Sequence, residues 1–109
     1  MSIDIEVTDG VATITLNRPE RMNAMDAEAY SALTDAWIQV RDDAAIRVAV
    51  VTGAGNRAFT TGADIKSFLT DPSDLSEFWQ TQQGQLLNRG LEVFKPVIAA
   101  VNGYCLGGG

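Results

Sequence analysis

The sequence of 109 residues predicts an α/β domain built on a parallel sheet, and three observations carry that expectation. Two short runs with apolar and polar residues in alternation, 3–7 and 11–16, are joined by Asp9-Gly10, the pairing that favours a two-residue hairpin turn. Val48-Ala49-Val50-Val51 and Val97-Ile98-Ala99-Ala100-Val101 are continuous apolar runs, the pattern of strands covered on both faces, as in parallel sheets. Segments of helical period separate these runs. The resulting order is hairpin, helix, strand, loop, helix, strand, and its last three elements make a βαβ unit.

Taken in order, Ile3, Ile5 and Val7 alternate with polar residues on the first strand, and Ala12, Ile14 and Leu16 alternate with Val11, Thr13 and Thr15 on the second. Asn17-Arg18-Pro19 closes that strand, because proline cannot continue the hydrogen-bond ladder. The loop through Glu20-Arg21-Met22-Asn23-Ala24-Met25 leads to Asp26, a candidate N-cap. Tyr30, Leu33, Trp37 and Val40 then recur at helical spacing, and this helix is expected to end between 42 and 45. After the run 48–51 come a turn cluster, Gly53-Ala54-Gly55-Asn56-Arg57, and a small-residue loop, Ala58-Phe59-Thr60-Thr61-Gly62-Ala63-Asp64. A short helix is expected over 65–69. Beyond Asp71-Pro72-Ser73, residues 76–94 carry Phe78, Trp79, Leu86, Leu87, Leu91 and Phe94 at amphipathic spacing, weakened by Gly84 and Gly90. Pro96 stops that helix, and the apolar run 97–101 follows.

Composition narrows the chemistry. An apolar fraction of 46% with 20% charged residues is that of a globular chain. The net charge of −6 and the lack of any basic run argue against nucleic acid or an anionic membrane as partner. With no histidine in the chain, a Ser-His-Asp triad, a Cys-His pair and a His-ligated zinc cannot be assembled from it, and no metal site is expected. Cys105 is the only cysteine, which excludes an internal disulfide and favours a reducing compartment. The N-terminus has neither the basic segment nor the apolar core of a signal peptide, and no apolar run reaches bilayer length. A cytoplasmic location is the expectation.

The two glycine-bearing loops follow neighbouring parallel strands, so both should lie at the carboxyl edge of the sheet, where α/β proteins bind ligands. Small residues there would let two backbone N–H groups converge on one developing oxyanion. Such a donor is commonly worth about 3 kcal/mol in a transition state. The plain alternative is that the glycines serve tight turns needing positive φ. Gly53-Ala54-Gly55-Asn56-Arg57-Ala58 also matches a dinucleotide fingerprint, but that site needs a helix opening at once, and Phe59-Thr60-Thr61-Gly62 stands where it should begin. Arg21, Arg57 and Lys66 are the cations nearest the loops, able to hold phosphates or simply solvated. Asp64 reads as a general base or, more simply, as a helix cap. Trp37, Phe78 and Trp79 read as core or subunit-contact residues. Cys105, in an apolar segment without histidine, reads as an inert buried thiol.

Three ordered motifs resemble the crotonase superfamily of enoyl-CoA hydratases and isomerases over nearly the whole chain, from about residue 5 to 109. They are Leu16-Asn17-Arg18-Pro19 with Asn23-Ala24; Ala58-Phe59-Thr60-Thr61-Gly62-Ala63-Asp64-Ile65-Lys66; and Lys95-Pro96-Val97-Ile98-Ala99-Ala100-Val101-Asn102-Gly103 running on to Gly107-Gly108-Gly109. The resemblance implies a crotonase-like α/β spiral of ββα turns, of which residues 1–109 form a truncated N-terminal portion, roughly the first two fifths. It also implies assembly of the parent protein as a homotrimer or hexamer.

The same resemblance implies an acyl-CoA thioester as partner, with coenzyme A as part of the substrate and no separate cofactor. It places the oxyanion-hole donors at the backbone N–H groups of Ala63 and Gly108. It places the CoA path along Arg21, Met22, Ala24, Thr61, Asp64, Ile65 and Lys66, with Glu20 where many relatives carry a basic residue. The implied activity is hydration of a 2-enoyl-CoA or isomerisation of its double bond through an enolate. The family's two catalytic glutamates would lie beyond Gly109, so the 109-residue chain alone is expected to be inactive. The alternative is a non-catalytic acyl-CoA-binding or assembly fragment of the same fold.

Overall fold

In the computed structural model, which describes residues 2–68, 87 and 90–109, the expected hairpin opens the chain. Strand β1 (Ile3–Thr8) pairs antiparallel with β2 (Val11–Leu16), Thr8 opposite Val11, so the loop has two residues. Asp9 and Gly10 both take positive φ, 52° and 81°, as a turn matching the twist of the strands requires. A single 3₁₀ turn, Pro19–Arg21, follows, and then helix α1 (Ala27–Asp42). Its N-cap is Asp26, whose carboxylate accepts from the Ala29 amide at 2.8 Å. At the other end Lys95 Nζ donates at 2.7 Å to the carbonyl of Val40, which the last turn leaves unpaired, and at 2.7 Å to that of the C-cap residue Asp43, which also accepts from Ile46 N.

Strand β3 (Val48–Gly53) runs parallel to β2, and β5 (Val97–Ala100) runs parallel to β3, giving one sheet in the order β1-β2-β3-β5. Ala29, Ala36, Trp37 and Val40 of α1 pack with Ala12, Ile14 and Leu16 of β2 and Ala49 and Val51 of β3. Their spacing along α1 is the one-sided stripe the helical period predicts. Ile46, Leu91 and Val93 close the core.

Several expectations need correction. Strand β3 is buried at alternate residues and half-buried between them. Strand β5 is an edge, with Ile98 at 56% exposure; it has β3 on one side and no described neighbour on the other. Ala58 to Thr60, read as loop, is a buried strand, β4, pairing in parallel with β6 (Tyr104–Cys105) in a second small sheet. Cys105 is exposed, and among the described residues β6 is paired on one side only. The short helix at 65 is present as α2 (Ile65–Phe68). The helix expected over 76–94 lies largely outside the described residues, but 90–94 are not helical; Leu91 is buried while Phe94 is exposed. Phe78 and Trp79 are likewise outside them. No helix among the described residues is long and apolar enough to cross a membrane.

Candidate functional site

The small β4–β6 sheet brings the two glycine-bearing loops together. Tyr104 N donates to Arg57 O and Leu106 N to Thr60 O, both at 3.1 Å, so the segment that ends in three glycines runs alongside the approach to Gly62. A Cβ on Gly62 would come within 2.8 Å of Gly108 N and 3.0 Å of Leu106 O. The loops therefore touch at a point where only a glycine fits, and Gly62 is held at φ 90° as well.

Backbone logic decides which amides stay free. Met25 and Ala63 form an isolated parallel bridge: Met25 N donates to Gly62 O at 2.8 Å and Asp64 N to Met25 O at 2.7 Å. In a parallel bridge the two flanking residues make the bonds, and the residue between them turns its own N–H away. That residue is Ala63. Gly108 is the third residue of a turn closed by Gly109 N donating to Leu106 O at 2.9 Å, and such a turn does not use its third amide. Neither the Ala63 nor the Gly108 amide donates to another group among the described residues. The Tyr30 hydroxyl, from the first turn of α1, lies 3.4 Å from where a Cβ on Gly108 would stand. Burial raises the Tyr30 pKa above the usual 10.0, so the phenol is neutral at physiological pH.

The other sequence-predicted residues divide into two groups. Met22, Ala24, Thr61 and Asp64 are brought together: Thr61 N and Oγ1 both approach Met22 O, at 3.3 and 3.4 Å, and Ala24 and Asp64 flank the Met25–Ala63 bridge. Arg21, Ile65 and Lys66 are exposed at the margins of this cluster. Asp64 caps α2, its Oδ1 accepting from Lys66 N at 3.2 Å, and its Oδ2 accepts from Arg18 at 3.1 Å. That engagement favours the cap over the general base. The dinucleotide reading fails, since 54–57 form a bend that leads into β4 rather than a helix.

Sequence reasoning assigned no role to the residues that fasten the loops. Asn23, buried and at φ 56°, donates from Nδ2 to Ala54 O and Ala58 O at 3.1 and 2.9 Å and accepts from Arg18 N at 2.9 Å. Thr60 Oγ1 donates to Asn23 O at 2.7 Å and accepts from Gly62 N at 3.1 Å. Asn102 ties the exit of β5 to Gly53 and Gly55. A short polar residue between a proline turn and a helix cap was the available signal for Asn23. A cleft of roughly 100 Å³ lies between Pro19, Met22, Asn23 and residues 54–58. It is small for an organic ligand and contains neither Ala63 nor Gly108. Among the described residues no cluster of three or more His, Cys, Asp or Glu could hold a metal.

The structure is thus an α/β fold in which two small-residue loops touch, each with a backbone amide that donates to no group among the described residues. Residues 6–109 match the family model for enoyl-CoA hydratase/isomerase. The chain is 45% identical over its full length to the (E)-benzylidenesuccinyl-CoA hydratase of Thauera aromatica, covering 42% of that protein. It is 38% identical to the crotonyl-CoA hydratase of Syntrophomonas wolfei subsp. wolfei, over 99% of this chain and 42% of the relative. Among solved structures, an enoyl-CoA hydratase/isomerase from Xanthobacter autotrophicus Py2 superimposes with a TM-score of 0.75 at 36% identity, over 96% of this chain and 40% of that one. The enoyl-CoA hydratase of Bacillus anthracis gives 0.74 at 31% identity, over 94% and 40%. The chain belongs to the enoyl-CoA hydratase/isomerase family, has the α/β fold of the crotonases, and spans about two fifths of the length of these relatives.

Proposed function

We propose that this polypeptide contributes the carbonyl-binding half of an active site that hydrates a 2-enoyl-CoA thioester or shifts its double bond. The observation that carries the reading is a pair of amides, Ala63 N–H and Gly108 N–H, that donate to no group among the described residues and lie on loops packed against each other at Gly62. Two such donors on the thioester oxygen favour the enolate that forms when water adds at C3, and again when a proton leaves or joins C2. The names of the relatives support an acyl-CoA substrate. Met22, Ala24, Thr61 and Asp64, with Arg21, Ile65 and Lys66 at the margin, form the CoA path in this reading, and coenzyme A arrives as part of the substrate. The exposed Arg21 and Lys66 then face CoA phosphates against a net charge of −6, so binding weakens as salt rises.

A second reading, a binding or assembly fragment without turnover, is favoured by a specific observation. Addition of water needs a general acid–base group, and the one carboxylate beside Ala63, that of Asp64, is held by Arg18 and by the α2 cap. Ile98, Val101, Tyr104 and Leu106 are all more than half exposed on the β5–β6 side, a face suited to further polypeptide of the same protein or to the subunits of a trimer or hexamer. The test is titration of residues 1–109 with crotonyl-CoA, following the fluorescence of Trp37 and Trp79 and loss of the enoyl absorbance. Saturable binding without turnover is the expected result. Turnover at ordinary enzyme rates would refute the fragment reading, and no binding at millimolar ligand would refute the carbonyl site.

A further inference from the structure

The strongest unassigned feature is a single guanidinium at the root of the Gly62–Asp64 loop. Arg18 leaves β2 just before Pro19, and its Nη1 donates to Ala24 O at 3.1 Å and to Asp64 Oδ2 at 3.1 Å. The same nitrogen lies 3.7 Å from Asp26 Oδ2. Ala24 and Asp26 flank Met25, and Asp64 follows Ala63. Arg18 thus grips both sides of the isolated Met25–Ala63 bridge, which directs the Ala63 amide. We propose that Arg18 is a positioning residue that aims the Ala63 N–H at the substrate carbonyl, and that Asp64 serves as its anchor. The inference rests on the reading of Ala63 and Gly108 as the carbonyl-binding pair.

The physical case has three parts. The bridge has only two backbone hydrogen bonds and no strand continuing on either side, so it has little rigidity of its own. The Asp26 and Asp64 side chains, at 28% and 13% exposure, are two like charges converging on one region; without the cation between them they would push the α1 cap and the loop apart. A planar guanidinium can meet a carbonyl and two carboxylates in fixed directions, whereas an ammonium is a point charge on a flexible stem. Arg18 also donates its backbone N–H to Asn23, so its own position is fixed by the buried staple beneath it.

The test compares two ligands on wild-type protein and on Arg18→Lys and Arg18→Gln variants. One is cinnamoyl-CoA, whose conjugated carbonyl shifts its absorbance to longer wavelength when polarised. The other is the matching S-(3-phenylpropyl)-CoA thioether, which has the same CoA and no carbonyl. Wild type should bind both and red-shift the first. Arg18→Lys should lose most of the red shift and weaken cinnamoyl-CoA about ten-fold, while thioether affinity stays within about two-fold; Arg18→Gln, which has no charge, should lose at least as much of the red shift. Equal weakening of both ligands, or a full red shift in the variants, would overturn the role given to Arg18. Wild type that binds the thioether but never shifts cinnamoyl-CoA would overturn the carbonyl site itself, and Arg18's role with it. Far-UV circular dichroism checks each fold, and if Arg18→Lys does not fold, Arg18→Gln decides the outcome by the same two readouts.

Discussion

Replacing Asn23 by alanine tests whether the loops of the site are held by one buried side chain. The change removes donors from the carbonyls of Ala54 and Ala58 and an acceptor from Arg18 N, at a residue only 1% exposed. The Ala58 bond is fully buried, so its orphaned carbonyl costs about 1–3 kcal/mol; water can reach the other two groups, at about 1 kcal/mol each. Alanine at φ 56° adds about 1 kcal/mol more. A loss of about 4–6 kcal/mol is a large share of the 5–15 typical of a domain. With a urea slope near 2 kcal/mol/M the midpoint falls by about 2–3 M. Urea titration followed by Trp37, which is buried in the core, reads the shift. Asn23→Gly relieves the backbone term alone and should recover about 1 kcal/mol relative to alanine. A midpoint drop under about 0.5 M for Asn23→Ala would refute the accounting, and glycine proving worse than alanine would refute its backbone part.

Three further outcomes follow from single contacts. Gly62→Ala places a methyl 2.8 Å from Gly108 N at φ 90°, so the two loops must part; the expected result is loss of the cinnamoyl-CoA red shift together with a lower Tm. The raised Tyr30 pKa means the folded state holds its phenolic proton more tightly than the unfolded chain. Stability from this group is intact below pH 10 and is lost as pH rises through the folded-state pKa, so the fall in Tm above pH 10 should flatten in Tyr30→Phe. Ile98→Lys puts a charge on the exposed edge strand and should cut self-association, measured by sedimentation velocity, while changing the stability of the monomer by less than about 1 kcal/mol.

The hairpin and α1 were legible because their signals are local. Asp9-Gly10 dictates a turn whatever surrounds it, and Asp26 caps the helix through an amide three residues away. The motifs that mark Ala63 and Gly108 were legible as resemblance. The contact between their loops was not, because it depends on β4 and β6, three and two residues long, whose pairing spans more than forty positions. Asn23, Thr60 and Arg18 escaped assignment for a related reason: each is a common polar residue whose importance lies in partners such as Ala58, Gly62 and Asp64, distant in sequence or hidden in loop geometry.

Strands β3 and β5 show where apolar pattern stops being informative. Val48-Ala49-Val50-Val51 and Val97-Ile98-Ala99-Ala100 have nearly the same composition, and both read as covered on two faces. Of the two, only β3 has a strand on each side among the described residues, and it buries Ala49 and Val51 in the core shared with α1. Strand β5 has the same parallel register with β3, from Ala49 opposite Val97 to Thr52 opposite Ala100, yet three of its four residues are exposed. Hydrophobicity records what a segment gains by being covered, and it is silent on what covers it. Each fully exposed aliphatic side chain forgoes about 1.5–3 kcal/mol of burial, and Ile98, Val101 and Leu106 are only a little over half exposed. Together they still leave several kcal/mol available to any surface that packs on this side. That surface would lie beside β6 and the Gly107–Gly109 turn, so covering β5 and fixing the position of the Gly108 amide should be one event: ligand affinity at the proposed carbonyl site should rise with whatever occupies the edge of the sheet.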